Sequence, residues 1–215
     1  MYDIENSRLG LVSLAVDTTG DQPDDEILSV TIDAPDGSPV YQGAYRPWRK
    51  TQWPEAEREC GLSPDAVASC PAITDCIGDI QAALDAADVI VGYDLGRAVR
   101  LLRDAGVEVE QDKLVDTSAA FAHALALMDD TGRIARKPLD EAMAMIRGER
   151  AGDLRGAAAK ALATLEVQRW SDAVELECLQ QTFTRRWTIG GPSVLDARST
   201  AVAVAAARDQ MMIEE

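Results

Sequence analysis

The first half of the chain alternates short apolar runs with polar turns. Runs rich in Val, Ile and Leu predict β-strands over Leu9–Val16, Ile27–Asp33 and Val40–Tyr45. The turn residues of 33–38, which include Gly37, favour a hairpin between the second and third strands. An irregular stretch is expected over 46–68. The pattern therefore begins as a three-stranded meander.

The second half shows mostly helical spacing, with two short apolar runs between the helices. In chain order the pattern predicts a helix from Pro71 to about Ala86, a strand at Val89–Val91, a helix at Leu95–Ala105, a strand at Lys113–Val115, a helix at Ser118–Leu127, a helix beginning at Pro138, a long helix from Leu154 to about Leu179 and a last helix from Ser193 to Met212. A meander followed by strands that alternate with helices indicates a mixed sheet with helices on its faces.

Composition and charge narrow the class of protein. The 215 residues, 47% of them hydrophobic, suit one domain with an ordinary core. The net charge of -16 disfavours nonspecific attraction to nucleic acid. No apolar stretch is long enough for a membrane helix, and residues 1–8 lack a signal pattern, so we expect a cytoplasmic protein without a membrane partner.

The four cysteines and the single histidine do not form a recognisable set of zinc ligands. Buried, reduced thiols are expected at Cys60, Cys70, Cys76 and Cys178, because no Cys-x-x-Cys pair is present. His123 lies in a predicted helix and is expected to be a packed or surface side chain.

Five stretches, in the same order, resemble the motifs of one nuclease family. They are Ala-Val-Asp-Thr-Thr-Gly at 15–20, Cys-Gly-Leu-Ser at 60–63, Val-Gly-Tyr-Asp-Leu-Gly-Arg-Ala at 91–98, Val-Asp-Thr at 115–117 and Arg-Gly-Ala-Ala-Ala-Lys at 155–160. Together they are similar to the landmarks of the DnaQ-like, DEDDh-type 3′-to-5′ exonucleases. The resemblance runs from about Leu9 to Trp170.

The resemblance implies a fold and a division of the chain. The fold is a ribonuclease-H-like α/β fold with a mixed five-stranded sheet flanked by helices. Residues 1–170 would form the exonuclease-like domain. The helical extension 171–215 lies outside the resemblance, and the apolar face of its last predicted helix favours packing on this domain or a homodimer contact.

The resemblance also identifies where the catalytic residues should lie. Such exonucleases use two divalent ions about 4 Å apart, held by four carboxylates, with a histidine as general base. These positions fall on Ala15, Asp17, Ala98 and Lys160, and the base falls on Arg155. Because Asp17 alone keeps an acid, we expect no metal, no cofactor and no catalytic residue.

Two readings of these substitutions remain open. In the first, Lys160, with or without Arg155, forms an ion pair with Asp17 in place of a metal ion, or else extends into solvent. In the second, the alignment has slipped and the protein is an active Mg²⁺- or Mn²⁺-dependent exonuclease. Its ligands would then be displaced acids, namely Asp21, Asp24, Asp25, Asp94 or Asp153.

The expected function is that of a pseudo-exonuclease that binds without cutting, either to a single-stranded 3′ end or to a protein partner. The candidate nucleotide cleft consists of Asp17, Thr18, Thr19, Tyr93, Asp94, Arg155 and Lys160. In the family the Thr-Thr-Gly segment approaches the terminal nucleotide, but it can equally persist as a turn. A second basic and aromatic cluster contains Arg46, Trp48, Arg49, Lys50 and Trp53, which favours either single-strand binding or a packed loop edge.

Overall fold

The centre of the molecule is a sheet of five strands in the order β3-β2-β1-β4-β5. The structure is a computed structural model that describes residues 9–148 and 152–188, with the backbone alone described for 178–188. The strands are β1 (Leu9–Thr18), β2 (Ile27–Asp33), β3 (Pro39–Ala44), β4 (Ala87–Gly92) and β5 (Leu114–Asp116).

The sheet is mixed, as the hydrophobic pattern predicts. β1, β2 and β3 form an antiparallel meander, whereas β4 runs parallel to β1 and β5 parallel to β4. The parallel pairs require crossover helices, which explains why strands and helices alternate in the second half. The expected mixed five-stranded sheet flanked by helices is confirmed.

Seven α-helices lie within the described part of the chain. They are α1 (Pro54–Cys60), α2 (Pro64–Val67), α3 (Ile77–Asp85), α4 (Leu95–Asp104), α5 (Thr117–Ala124), α6 (Leu139–Arg147) and α7 (Gly156–Thr188). α7 runs across residue 170 without a break, and the division of the chain at that residue stays a prediction.

The helices cover both faces of the sheet. On one face, Val12 and Leu14 of β1 pack with Ile80 of α3 and Leu102 of α4 in the main core. On the other face, α7 lies across β1 and β2, and a second core joins it to Phe121 of α5 and to α6. α7 therefore has the sheet on one side and two short helices on the other.

Two predictions of local structure are wrong. The stretch 46–68 is not irregular throughout, because Pro54 and Pro64 each occupy the first turn of a short helix, and the Ser63 hydroxyl caps α2 by accepting from the Ala66 N–H at 3.1 Å. The helix expected from Pro71 begins only at Ile77, after a 3₁₀ turn at Ile73–Asp75.

Three further expectations concern the last predicted helix, Cys178 and the membrane. The last helix predicted over 193–212 and the side chain of Cys178 lie outside the described residues. Among the described helices none combines the length and apolar character that crossing a membrane requires. A cytoplasmic location stays a prediction.

Candidate functional site

A cleft of about 930 Å³ opens where β1 and β4 end. Its walls come from the end of β1, the loop 19–26, α1, the start of α4, the start of α6 and α7. It contains Asp17, Ala98 and Lys160, and also Tyr93 and Asp94. The sequence motifs that lie far apart along the chain therefore meet in one place.

Asp17 is buried in this cleft, with its side chain 2% exposed. Its Oδ1 lies 2.8 Å from the Nζ of Lys160, so the ion pair expected from the sequence is present. Its Oδ2 accepts hydrogen bonds from the Ser29 hydroxyl at 2.8 Å and from the backbone N–H of Ala157 at 2.6 Å. Three donors, one of them cationic, therefore satisfy both oxygens of this carboxylate.

The start of α7 brings two of these donors to Asp17. Gly156 has φ 83°, a left-handed conformation that glycine adopts without strain. A side chain there would lie 3.3 Å from the Cys60 carbonyl oxygen. The following residue, Ala157, points its N–H at Asp17, and Lys160 lies one turn further along. The positive end of the helix dipole adds to this stabilisation of the carboxylate.

The remaining positions of the family motif carry no ligand. Ala15 is buried against Ala157 and Ala161 of α7, so three alanines fill the space beside Asp17. Ala98 is buried in α4. Arg155 is exposed, its N–H donates to Asp153 Oδ1 at 3.0 Å, and within the described chain it makes no ion pair with Asp17.

The residues present do not fit a two-metal site. Hard cations such as Mg²⁺ need several oxygen ligands, and here one carboxylate faces an ammonium group. In the described ranges, no three His, Cys, Asp or Glu side chains are grouped so that they could hold a metal ion. No chemical step through a metal ion can be derived from this geometry.

Among the acids considered as displaced ligands, Asp25 is the most deeply buried. Its Oδ1 accepts from the Thr19 hydroxyl at 2.7 Å and lies 3.1 Å from Lys50 Nζ, and its Oδ2 accepts from the Gln22 N–H at 2.5 Å. Burial alone would raise the pKa of Asp25, but these hydrogen bonds and the Lys50 charge hold it below the usual value.

Asp21, Asp24 and Asp94, three more of the acids considered as displaced ligands, also face cations. Asp24 lies 3.3 Å from Lys50, and Asp21 pairs with Arg97, whose guanidinium also donates to the Gly20 carbonyl. Asp94 has φ 56° at the start of α4 and lies 3.8 Å from Arg136. These three acids are therefore paired with cations of the protein, and none of them lies next to Asp17.

The hydroxyl groups in the cleft are also engaged by the protein. Thr18 donates to the Gly20 carbonyl at 2.8 Å, so Thr18 and Thr19 both stabilise the turn after β1. The Tyr93 hydroxyl donates to the Lys137 carbonyl at 2.6 Å. Burial, followed by the nearby carboxylates, raises the pKa of Tyr93 well above its usual value. Tyr93 therefore lines the cleft as an uncharged side chain.

The structure adds partners that the sequence did not indicate. Ser29 faces Asp17 because the β1–β2 register pairs the two residues directly. Arg97, which precedes the motif position Ala98, reaches across to the loop 19–26. A helical arginine beside a predicted active-site position was an available signal, whereas the Ala157 N–H has no sequence signature.

The remaining predicted residues lie apart from the cleft centre or have ordinary roles. His123 is exposed, as expected, and its Nδ1 lies 3.9 Å from Glu175. Cys60, Cys70 and Cys76 are free thiols, as expected, but only Cys60 is buried as predicted, whereas Cys70 and Cys76 are partly exposed. Trp53 is buried and donates its Nε1–H to the Leu62 carbonyl at 2.7 Å, whereas Trp48 is exposed. The basic and aromatic cluster is therefore part core and part surface.

Comparisons with known proteins identify the fold and not the function. No protein-family model matches the chain, and no curated protein does. Several solved structures are similar to this chain. One is the catalytic unit of Pan2 from Neurospora crassa, whose sequence is 10% identical and whose TM-score is 0.64, with 86% of this chain and 30% of that chain covered. Another is exonuclease X in complex with 5′ overhanging duplex DNA, 14% identical, with a TM-score of 0.52 over 90% of this chain and 99% of that one.

A third solved structure belongs to a named family. It is the nuclease domain of 3′hExo, a DEDDh family member bound to rAMP, 12% identical, with a TM-score of 0.51 over 80% of this chain and 92% of that one. The chain spans about a third of the length of the Pan2 structures it matches. At these identities the likeness shows a shared fold.

Proposed function

Because the chain has the fold of the DEDDh exonucleases, we propose that it is a catalytically inactive protein of that fold that acts by binding. The observation that carries this proposal is the coordination of Asp17 by Lys160, Ser29 and the Ala157 N–H. A tethered ammonium neutralises this carboxylate, which is the role of a metal ion in an active site of this kind. Water activation by a metal ion has no support in this arrangement.

The preferred ligand is a single-stranded nucleic acid 3′ end. The cleft is open and has room for a nucleotide, and several of its acids are neutralised by Lys160, Lys50, Arg97 and Arg136. Among the structural neighbours, a yeast Pan2 module is described in complex with A7 RNA, and exonuclease X with DNA. These neighbours support a nucleic acid as the first ligand to test.

A protein partner is the second candidate, and charge favours it. The chain carries a net charge of -16. On the cleft walls, Glu55, Glu59 and Asp140 make no ion pair with any described residue. A basic segment of a partner would be attracted to these acids, whereas a nucleic acid would be repelled by them.

A nuclease assay tests the loss of catalysis. Labelled single-stranded RNA and DNA are incubated with the protein over a range of Mg²⁺ and Mn²⁺ concentrations, and the products are separated by length. We expect no shortening. Shortening that depends on the metal and disappears in both Asp17→Ala and Asp17→Asn would establish the alternative, an active exonuclease.

A restored variant provides the matched positive control. It carries Ala15→Asp, Asp17→Glu, Ala98→Asp, Arg155→His and Lys160→Asp, which returns the family residues to the positions described above. Metal-dependent shortening by this variant, but not by the natural chain, would locate the loss of activity in these five positions. Its folding is checked by circular dichroism before the assay.

A binding assay tests the ligand class. Fluorescence anisotropy is measured with a 5′-labelled single-stranded oligonucleotide that ends in a 3′ hydroxyl or in a 3′ phosphate. We expect saturable binding without cleavage and a preference for the free 3′ hydroxyl. Absence of binding to either oligonucleotide would favour the protein-partner candidate.

A further inference from the structure

Residues 46–50 form a surface loop that presents an aromatic side chain to solvent. Trp48 is 92% exposed, the largest exposed fraction among the exposed large apolar side chains of the described chain. Arg46 and Arg49, on either side of it, are exposed as well. The loop follows β3 and precedes α1.

A single carboxylate fixes the backbone of this loop. Glu26, at the end of the loop 19–26, accepts hydrogen bonds from three consecutive N–H groups, those of Trp48 at 2.7 Å, Arg49 at 2.9 Å and Lys50 at 2.8 Å. Charge-assisted hydrogen bonds to three neighbouring amides restrict the loop to one backbone conformation. The indole is therefore held outward by the fold and is ready for contact without further ordering of the backbone.

The loop adjoins the cleft. Lys50 lines the cleft, and its Nζ lies 3.3 Å from Asp24 and 3.1 Å from Asp25. Trp48 precedes Lys50 by two residues, so the Cα atoms of the two lie within about 7 Å of each other. A strand whose end occupies the cleft and that leaves it past Lys50 would pass close to Trp48.

The chemistry of the loop favours a single-stranded nucleic acid over a protein. The chain as a whole has a net charge of -16, yet here two guanidinium groups flank an exposed indole. Within the described chain Arg49 makes no ion pair, and the Arg46 guanidinium makes one hydrogen bond, to the Ala68 carbonyl at 3.4 Å. Aromatic faces beside cations are how proteins stack the bases and contact the phosphates of single strands.

We infer that Trp48 is a stacking platform for a base of a single-stranded nucleic acid whose 3′ end enters the cleft, with Arg46 and Arg49 contacting the adjacent phosphates. This inference rests on the proposed nucleic-acid-binding function. It adds a site outside the positions of the exonuclease motifs and identifies the residue that would supply much of the affinity.

Anisotropy titrations with a labelled single-stranded oligonucleotide test this inference. We expect Trp48→Ala to weaken binding about 5- to 100-fold, the range that loss of one base–aromatic stack produces, while Trp48→Phe retains most of the affinity. Met128→Ala, which truncates another exposed apolar side chain, is the matched control and should leave binding unchanged.

The contribution of charge is tested in the same way. Arg49→Glu should weaken binding and reduce its salt dependence, whereas Arg133→Glu, the same change at an exposed arginine of the turn after α5, should have a smaller effect. Quenching of tryptophan emission by the oligonucleotide should be reduced in Trp48→Phe.

The outcomes separate this inference from the proposed function. Binding by the natural chain with equal affinity in Trp48→Ala would overturn the stacking platform and leave the binding function standing. Metal-dependent shortening, with weaker binding in Trp48→Ala, would overturn the proposed inactivity and leave the platform standing. Failure of the natural chain to bind any single strand would overturn both the nucleic-acid ligand and the platform.

Discussion

Two aspartates lie on the same face of the β1–β2 pair, each directly opposite a serine. Asp17 on β1 faces Ser29 on β2, and four residues back along β1, Ser13 faces Asp33 on β2. Because side chains alternate along a strand, all four point to the face on which α7 packs. Both aspartates are buried, Asp33 being 1% exposed.

The two ends of the β1–β2 pair differ in the hydrogen-bond donors that α7 supplies to them. At one end, the start of α7 supplies Lys160 and the Ala157 N–H, and Ser29 completes the shell around Asp17. At the other end, Oδ1 of Asp33 and the hydroxyl of Ser13 have no hydrogen-bond partner within the described chain. Burial raises the pKa of Asp33 to about 6, against a hydrogen bond from Gln42 that lowers it.

The difference shows that burial alone does not decide the state of a carboxylate. A helix start and a cation hold Asp17 within a satisfied network, whereas Asp33 is buried in similar strand geometry without either. The cleft end of the sheet thus gives a buried carboxylate three donors, whereas the far end leaves one oxygen of a buried carboxylate without a donor among the described residues.

Removal of the cation should have the largest effect. We expect Lys160→Met to destabilise the protein by about 2 to 4 kcal/mol, because Asp17 would remain buried and lose its charged partner. The free energy of unfolding is measured by urea denaturation at pH 7. Arg155→Met, which removes an exposed cation near the same helix start, is the control and should change stability little.

The double variant Asp17→Asn/Lys160→Met sharpens this test. Removal of both charges should recover a large part of the stability that Lys160→Met loses, because the uncompensated carboxylate is gone. Additive effects of the two single changes would show that the ion pair does not couple the two residues.

Neutralisation of Asp33 should change the stability of the protein in the opposite direction, by raising it. Between its usual value of 3.8 and about 6, the folded state binds a proton that the unfolded state lacks. The contribution of Asp33 to stability therefore falls as the pH rises through this window and is lowest above it. We expect Asp33→Asn to stabilise the protein at pH 8 by about 1 to 3 kcal/mol.

Urea denaturation of Asp33→Asn and of the natural chain from pH 4 to pH 8 measures this effect. The stability difference should grow from near zero at pH 4 to its full value at pH 8. Asp88→Asn, at an exposed position of β4, is the control. A constant difference across the pH range would show that Asp33 titrates normally.

The two serines should give the smallest effects. Ser29→Ala removes a donor to a buried carboxylate and should cost about 1 to 2 kcal/mol. Ser13→Ala removes a hydroxyl that has no partner and should change stability by less than about 0.5 kcal/mol, or raise it. Thermal denaturation of the two variants side by side provides the comparison, and equal losses would contradict the assigned hydrogen bonds.

Much of the fold could be predicted from hydrophobic spacing. β2 has the predicted bounds, and the long helix was expected because its apolar period persists over many turns. The short helices α1 and α2 are not predicted, because each is brief and begins with a proline. Proline at the first turn of a helix has the same local signature as proline in a loop.

The Asp17–Lys160 pair could be predicted because both residues occupy motif positions that meet in the fold. The other donors could not. The contact with Ser29 depends on a strand register that includes a bulge after Asp17, and main-chain donors such as the Ala157 N–H leave no trace in side-chain patterns. The contact of Arg97 with the loop 19–26 depends on how far its long side chain extends, which the sequence does not show.

The most direct test of the central claim is Mn²⁺ binding to the natural chain and to Asp17→Asn, followed by electron paramagnetic resonance of free Mn²⁺. If Lys160 has replaced the metal ions beside Asp17, the two titrations will coincide, with weak binding by surface acids alone. The restored five-residue variant serves as the positive control for a metal site. One or two tight Mn²⁺ sites in the natural chain that disappear in Asp17→Asn would contradict the account.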